Sequence, residues 1–399
     1  MIACASRWML PTVIVLAALV AYRAIVVKPR AEGVQLARNE PVAIRPRFDD
    51  PRVVTDEQLS AVLARVRPPA GPPNTNQYVH ALRLWGATAD FKTPGVPSGA
   101  ELSAYFLDDA SFRRQAGESA PPLFFYGPNG VEVRSYDDRL TDRATSSHHT
   151  DDLLATLAES RVPLSAELHM RDGKATVADL LRTSLRRFHL DQHEYEWTAI
   201  AYARYVMPER AWRNKFGENI SVDALVDELI GHAPDVGPCN GLHRLEALAV
   251  LNRANDEFQT LSPRTRMKML VYMKQAARAL AAAQTSEGYW TREWPRGEAA
   301  AAIVPEKKIS LHDKLLVTGH HLEWLALAPD EVQPPREAVV RAAQWLARTL
   351  VEMDEAQLLQ AYGPYTHAAR GLCLWRGMEA WEAWQSQRTE LATAVALSE

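Results

Sequence analysis

Apolar residues recur every three to four positions along most of this chain, the period of a helix that buries one face. Leu59, Val62, Leu63 and Val66 form the first such stripe, opened by Thr55 and Gln58 in the spacing of a capping box. A second helix is expected over Gln77–Gly86. Ser98 and Glu101 make another capping box, with a helix running on through Arg114. From Thr176 the pattern is helix after helix. Leu180, Leu181, Leu185 and Phe188 line one face, and Val222, Leu225, Val226, Leu229 and Ile230 a second. Met267, Met269, Leu270 and Met273 line a third, and Val339, Val340, Ala343, Leu346 and Leu350 a fourth. Two stretches read as β-hairpins instead. Leu123–Tyr136 turns at Asn129-Gly130, and Leu168–Thr176 turns at Asp172-Gly173.

Trp8–Val27 is different, being apolar throughout except for Arg23. Twenty such residues, at about 1.5 Å each, span a hydrocarbon core of about 30 Å. Residues 1–30 are therefore expected to anchor the chain in a membrane, with the body on the extracytoplasmic side. Residues 31–54 read as a polar tether with scattered prolines. The expected domain covers 55–399, with a hairpin insertion near 121–136 and a frayed last ten residues.

Five segments resemble one another: YVHALRLWG from Tyr78, EWTAIAYARYV from Glu196, LHRLEALAVL from Leu242, HHLEWLALA from His320 and THAARGLCLW from Thr366. Each is a small or apolar helix with His or Glu near its start. Glu196, His243, His320 and His367 lie 47, 77 and 47 positions apart in turn. Such a step suits one helix pair per repeat, which buries its faces only against neighbours. The repeated helices are apolar on most sides, as the inner helices of a closed ring must be. The expected fold is thus mainly all-α, an α/α toroid of helix pairs.

The loop at Leu280–Trp290, LAAAQTSEGYW, places Gln284, Gly288 and Trp290 in the spacing Q-x-x-x-G-x-W. This resembles the QW motif of squalene-cyclase-type terpenoid cyclases, members of the α/α-toroid group with the prenyltransferases. The resemblance implies that Gln284 caps a helix end and that Trp290 stacks on it, bracing adjacent helix pairs. It does not extend to that family's chemistry. Neither a D-x-D-D acid motif nor a D-D-x-x-D diphosphate motif is present, and Asp137-Asp138-Arg-Leu-Thr-Asp142 has the wrong spacing.

In a toroid the N-terminal ends of the inner helices gather at one mouth. His80, Glu196, His243, His320, His321 and His367 would meet there, with His148 and His149 from the loop ATSSHHTD. Glu194 and Glu196 would point about 200° apart on one helix, so only one can face inward; Glu196 aligns with the repeat. The candidate catalytic set is therefore His243, His320, His367, Glu196, His148 and His149. Imidazoles titrate near neutrality and a buried carboxylate can be tuned upward, which suits acid–base work. Thr318-Gly319-His320 and Tyr365-Thr366-His367 read as helix starts able to hold an anion. Tyr289, Trp290, Trp294, Trp324 and Trp375 supply aromatic surface, and Lys307, Lys308 and Lys314 are expected in solvent.

Cys239 and His243 lie one turn apart, and Cys–His sets of this kind resemble the zinc ligands of lanthipeptide-cyclase toroids. No second Cys or His pair accompanies them in the sequence, so no metal ligands and no cofactor are assigned. The three cysteines imply no disulfide framework. A net charge of −4 argues against a nucleic-acid surface, while 25 prolines fit many short connections between helices. The expected function is a membrane-anchored toroid with a His/Glu-lined cavity, acting on a lipid-linked or carbohydrate substrate. The alternative is a non-catalytic envelope scaffold that binds a small molecule or glycan.

Overall fold

The computed structural model describes residues 36–71, 74–135, 143–303, 308–360 and 362–388. The expected anchor (1–30), Asp137–Asp142, Lys307 and the last ten residues lie outside these. Among the described residues, no helix is long and apolar enough to cross a membrane.

The chain begins with α1 (Asp56–Arg65), α2 (Thr75–Trp85), α3 (Gly99–Leu107) and α4 (Asp109–Ala116). The hairpin β1 (Phe124–Gly127) and β2 (Gly130–Val133) leads to α5 (Asp152–Glu159). A second hairpin, β3 (Glu167–Met170) and β4 (Gly173–Thr176), precedes α6 (Val177–Arg187) and α7 (Glu196–Tyr205). A third, β5 (Ala211–Arg213) and β6 (Asn219–Ser221), precedes α8 (Val222–Gly231), α9 (Leu242–Phe258) and α10 (Pro263–Ala283). Next come α11 (Glu298–Ile303), α12 (Leu311–Leu327), α13 (Arg336–Glu352), α14 (Glu355–Gln360) and α15 (Tyr362–Trp375).

Six helices follow one another in space. Helix α2 packs on α5, α5 on α7, α7 on α9, α9 on α12, α12 on α15, and α15 on α2 again. Five of the six are the repeated segments. All ten residues of α7 are buried, as are Leu315 to Leu327 of α12. Helices α1, α8, α10 and α13 lie outside them and bury only one stripe each. The tightest crossing is α12 on α15, where a Cβ at Gly319 would come 2.8 Å from the Ala368 nitrogen. Glycine therefore sits mid-helix there because the partner backbone leaves no room for a side chain.

Capping chemistry sets several boundaries. The boxes at Thr55/Gln58 and Ser98/Glu101 form as expected, and a third forms at Asn74/Gln77. The helix expected through Arg114 breaks at Asp108, whose carboxylate accepts the Ser111 N–H at 2.8 Å and starts a new helix. Both expected hairpins form, one residue out of register. Gly127 pairs Gly130 and Met170 pairs Gly173, so Pro128-Asn129 and Arg171-Asp172 are the turn residues. The third hairpin carries no sequence signal comparable to these.

Three further expectations change. Met267 is 66% exposed while Met269 and Met273 are buried, because two helical steps turn a side chain about 200°. Residues 36–54 do not hang free as a tether. Val42, Val53 and Val54 are buried, Phe48 stacks on Trp375 at 4.6 Å, and the Asp50 N–H donates to the Trp375 carbonyl at 2.9 Å. Finally, Thr318–His320 and Thr366–His367 are not helix starts. Ser310 caps α12 and accepts the Asp313 N–H at 3.1 Å, which puts His320 in the helix interior. Both segments lie inside their helices and so offer no helix N-terminus to an anion.

In the Q-x-x-x-G-x-W loop, Gln284 Nε2 donates to the carbonyls of Gly288 (2.8 Å) and Ala338 (2.7 Å), tying the end of α10 to α13. Trp290 is fully buried and its indole N–H donates back to the Leu280 carbonyl at 2.9 Å. Gly288 has φ +105, and a Cβ there would lie 2.6 Å from the Arg341 carbonyl oxygen.

Candidate functional site

Four imidazoles from four of the six helices meet in the middle of the protein. Their ring centres lie 4.7 Å apart for His243 and His320, 3.8 Å for His320 and His367, and 5.1 Å for His80 and His367. His149 approaches from the loop before α5, 6.2 Å from His243. Trp197 of α7 closes one side at 4.2 Å from His243. Residues up to 287 positions apart thus converge, which the repeat pattern anticipated for His80, His243, His320 and His367.

Four of the five rings are oriented by a fixed acceptor; His243 Nδ1 is buried without a hydrogen-bond partner. His320 Nδ1 lies 2.7 Å from the Leu316 carbonyl oxygen and His80 Nδ1 2.7 Å from that of Asn76. A carbonyl can only accept, so both rings carry their proton on Nδ1 and a lone pair on Nε2. His320 Nε2 is buried with no hydrogen-bond partner. His367 Nδ1 lies 2.7 Å from Glu323 Oε2, and His149 Nδ1 3.1 Å from Glu194 Oε1.

Cys239 completes the cluster. Its Sγ, a ring nitrogen of His243 and one of His320 all lie within 4.8 Å of one another. The segment carrying it is unusual: Cys239 and Asn240 have φ +49 and +62, followed by Gly241 at +73. Left-handed backbone at consecutive non-glycine residues is costly and persists only where its surroundings enforce it. Here they do. Arg244 donates to the Ala233 carbonyl at 2.6 Å and to Glu196 Oε1 at 3.0 Å, clamping the loop from below. Glu196 is consequently a brace for the Cys239 loop, not a member of the cluster. Burial alone would raise the Cys239 thiol, but His243 and His320 outweigh it and hold the group well below 9.0. That favours thiolate, the form that binds metals. Burial and the neighbouring His243 keep His320 low, hence neutral. Burial opposes a charge on His243, yet Cys239 and Glu246 push it up to about 10.

Beneath the imidazoles lies a buried charge network. Arg370 donates to Glu159 (2.7 Å), Glu246 (2.7 Å) and Glu323 (3.0 Å), drawn from α5, α9 and α12. Arg83 reaches Glu159 at 2.8 Å and Arg204 reaches it at 3.6 Å. His243 Nδ1 lies 3.7 Å from Glu246, so the network underpins the cluster directly.

The structure separates the remaining expected residues. His321 turns away from His320 and accepts the Trp324 indole N–H at 2.9 Å, between Trp290 and Trp294. His148 is half-buried and does not line the main cavity. Glu194, not Glu196, is the carboxylate that holds His149, and it also accepts the Thr150 N–H at 3.0 Å. A cavity of about 300 Å³ opens beside the cluster, and of the cluster residues only His149 lines it.

No family model, curated protein or solved structure matches this chain. Its chemistry must therefore be argued from these side chains alone.

The His149–Glu194 pair has a pH signature. Burial opposes the charge on His149, but the Glu194 hydrogen bond together with the negative charges of Asp152 and Glu194 outweighs it and raises the imidazole above 6.5. Burial likewise opposes the Glu194 charge, and His149 outweighs it to lower the carboxyl below 4.5. The raised imidazole stabilises the fold below 6.5, and that contribution is lost as pH rises through the folded value. The lowered carboxyl contributes above 4.5 and is lost as pH falls through its folded value. Urea unfolding of Glu194→Gln at about pH 6 and about pH 8 should show a smaller loss of stability on raising pH than the parent chain shows.

Proposed function

We propose that this chain is an α/α toroid whose centre binds a transition-metal ion on Cys239, His243 and His320, and that it is a metal-dependent enzyme. The carrying observation is the partnerless, buried Nε2 of His320, with its Nδ1 already committed to Leu316, facing the Cys239–His243 pair. One thiolate and two imidazoles suit Zn²⁺ and exclude the oxygen-loving cations Mg²⁺ and Ca²⁺ as preferred occupants. A tetrahedral ion with arms of about 2.0–2.3 Å needs ligands about 3.3–3.8 Å apart, which small side-chain turns reach from the observed spacing. Three protein ligands leave a fourth position for water or substrate, the arrangement of catalytic rather than structural zinc. An ion there would lower the pKa of a bound water or polarise a substrate oxygen. Binding would displace the proton from His243.

The cyclic packing of the six helices supports the toroid reading, and the Gln284 and Trp290 contacts suit the bracing role implied by the QW-like spacing. The apolar run at 8–27 supports membrane attachment as part of the same reading. A second reading, Cys239 as nucleophile with His243 as base, draws on the same pair. It gives His320 no role.

Metal analysis of the purified full chain tests the proposal. About one equivalent of zinc is expected in the parent chain and in His321→Ala. Much less than half an equivalent is expected in Cys239→Ser and His320→Ala. Equal metal in all four, or none in the parent, contradicts the proposal. Zinc bound at these residues would equally dismiss the non-catalytic scaffold.

A further inference from the structure

The cavity of about 300 Å³ beside the cluster has a lining of its own chemistry. It lies between the β1–β2 hairpin, the loop entering α5, helix α6 and the turn between β5 and β6. Its volume is at the lower end for small-molecule sites, enough for one compact ligand. His149 belongs both to its wall and to the imidazole cluster, so a ligand in it lies next to the proposed metal position.

Asp151 is held in the wall by left-handed backbone, φ +58, a costly conformation for a residue with a side chain. The hydroxyls of Ser184 and Thr198 both donate to its Oδ2 at 2.7 Å, which leaves Oδ1 for the cavity. Glu132, braced by Asn129 at 3.0 Å and Arg187 at 3.5 Å, presents a second carboxylate. Gln192, whose amide nitrogen donates to the Glu194 carbonyl at 2.6 Å, adds its amide oxygen as a further acceptor. Such planar acceptors match vicinal hydroxyl groups.

Two features narrow the ligand further. Phe216 is 53% exposed at the rim, its ring touched by Lys215 and by His189 edge-on and otherwise open beside a polar pocket. The face of a pyranose ring on which the axial C–H groups lie can stack on such an aromatic ring. Next to it, Lys215 Nζ donates to the neutral Asn129 Oδ1 at 3.0 Å and lies 5.0 Å from the Phe216 ring centre. Among the described residues no carboxylate pairs with Lys215, and Arg187 keeps N–H groups free beyond its long contact to Glu132.

We propose that this cavity binds a sugar unit bearing a carboxylate, a hexuronate, with the carboxylate at Lys215 and Arg187 and the ring on Phe216. Asp151 and Glu132 accept the ring hydroxyls. Its role as a substrate site rests on the metal reading above; its role as a binding site does not.

Saturation-transfer NMR and calorimetry on the full chain, with D-glucuronate and D-galacturonate as probes and D-glucose as the neutral comparison, test it. Lys215 and Phe216 are exposed, so Lys215→Met and Phe216→Ala keep the fold. At least one uronate should bind at least tenfold more tightly than glucose, and each variant should weaken it about tenfold. No uronate binding, equal binding of glucose, or unchanged binding in both variants overturns the proposal. Metal content measured on the same samples separates the two readings. Zinc without uronate binding overturns only the ligand assignment, and uronate binding without zinc overturns only the metal centre.

Discussion

Arg370→Met should destabilise the protein by about 3–5 kcal/mol, or prevent folding altogether, because it strips a shared partner from three buried carboxylates. Glu159, Glu246 and Glu323 are almost wholly buried, and each bonds the same guanidinium. Arg83 and Arg204 can still neutralise Glu159. Glu246 would keep only His243 at 3.7 Å, and Glu323 only the His367 ring at 2.7 Å, neither of them a guanidinium. Burial, with Glu246 adding to it, already pushes the Glu323 carboxyl well above the usual range, so this is the group that would take up a proton first. The loss should therefore shrink when Glu323→Gln is added to Arg370→Met, since an amide needs no counter-charge. Denaturant unfolding of the single and double variants measures both effects. A loss below about 1 kcal/mol in the single variant would mean the network contributes little.

Chelation should produce the second large effect. An ion that binds only the folded chain stabilises it by about 2.7 kcal/mol when its free concentration is a hundred times the dissociation constant. Its removal should lower the melting temperature of the parent chain by several degrees. Cys239→Ser, already without the ion, should show no change on adding chelator. Equal sensitivity of both proteins would place the stabilising metal elsewhere.

Much of this arrangement was legible in the residues. All five similar segments became central helices, because the absence of a polar face is itself a record of burial on every side. The sixth, α5, reads in the sequence as a helix starting at Thr150 or Asp151, but not as a member of the repeat. It is eight residues long, DLLATLAE, begins beside Asp151 rather than with His or Glu, and falls in the 116-position gap between His80 and Glu196. Cys239 and His243 do come together, but not on one helix face as their spacing suggests: Cys239 lies in the left-handed loop before α9, which starts at Leu242. Completion of the pair by His320, 77 positions on, does not follow from spacing either, since adjacent His320 and His321 differ by about 100° around a helix and only packing selects between them. The choice of Glu196 over Glu194 from the sequence requires both to lie in one helix. Helix α7 starts at Glu196, so Glu194 sits in the preceding loop and the angular argument does not apply to it. The left-handed turn at Cys239 and the cavity beside His149 depend on tertiary contacts that no local pattern encodes.

X-ray absorption at the metal edge of the purified full chain examines the central claim most directly. The account predicts one sulfur at about 2.3 Å and at least two nitrogens at about 2.0–2.1 Å, with the sulfur lost in Cys239→Ser. A shell of oxygens alone, or a sulfur signal that survives that substitution, would contradict it.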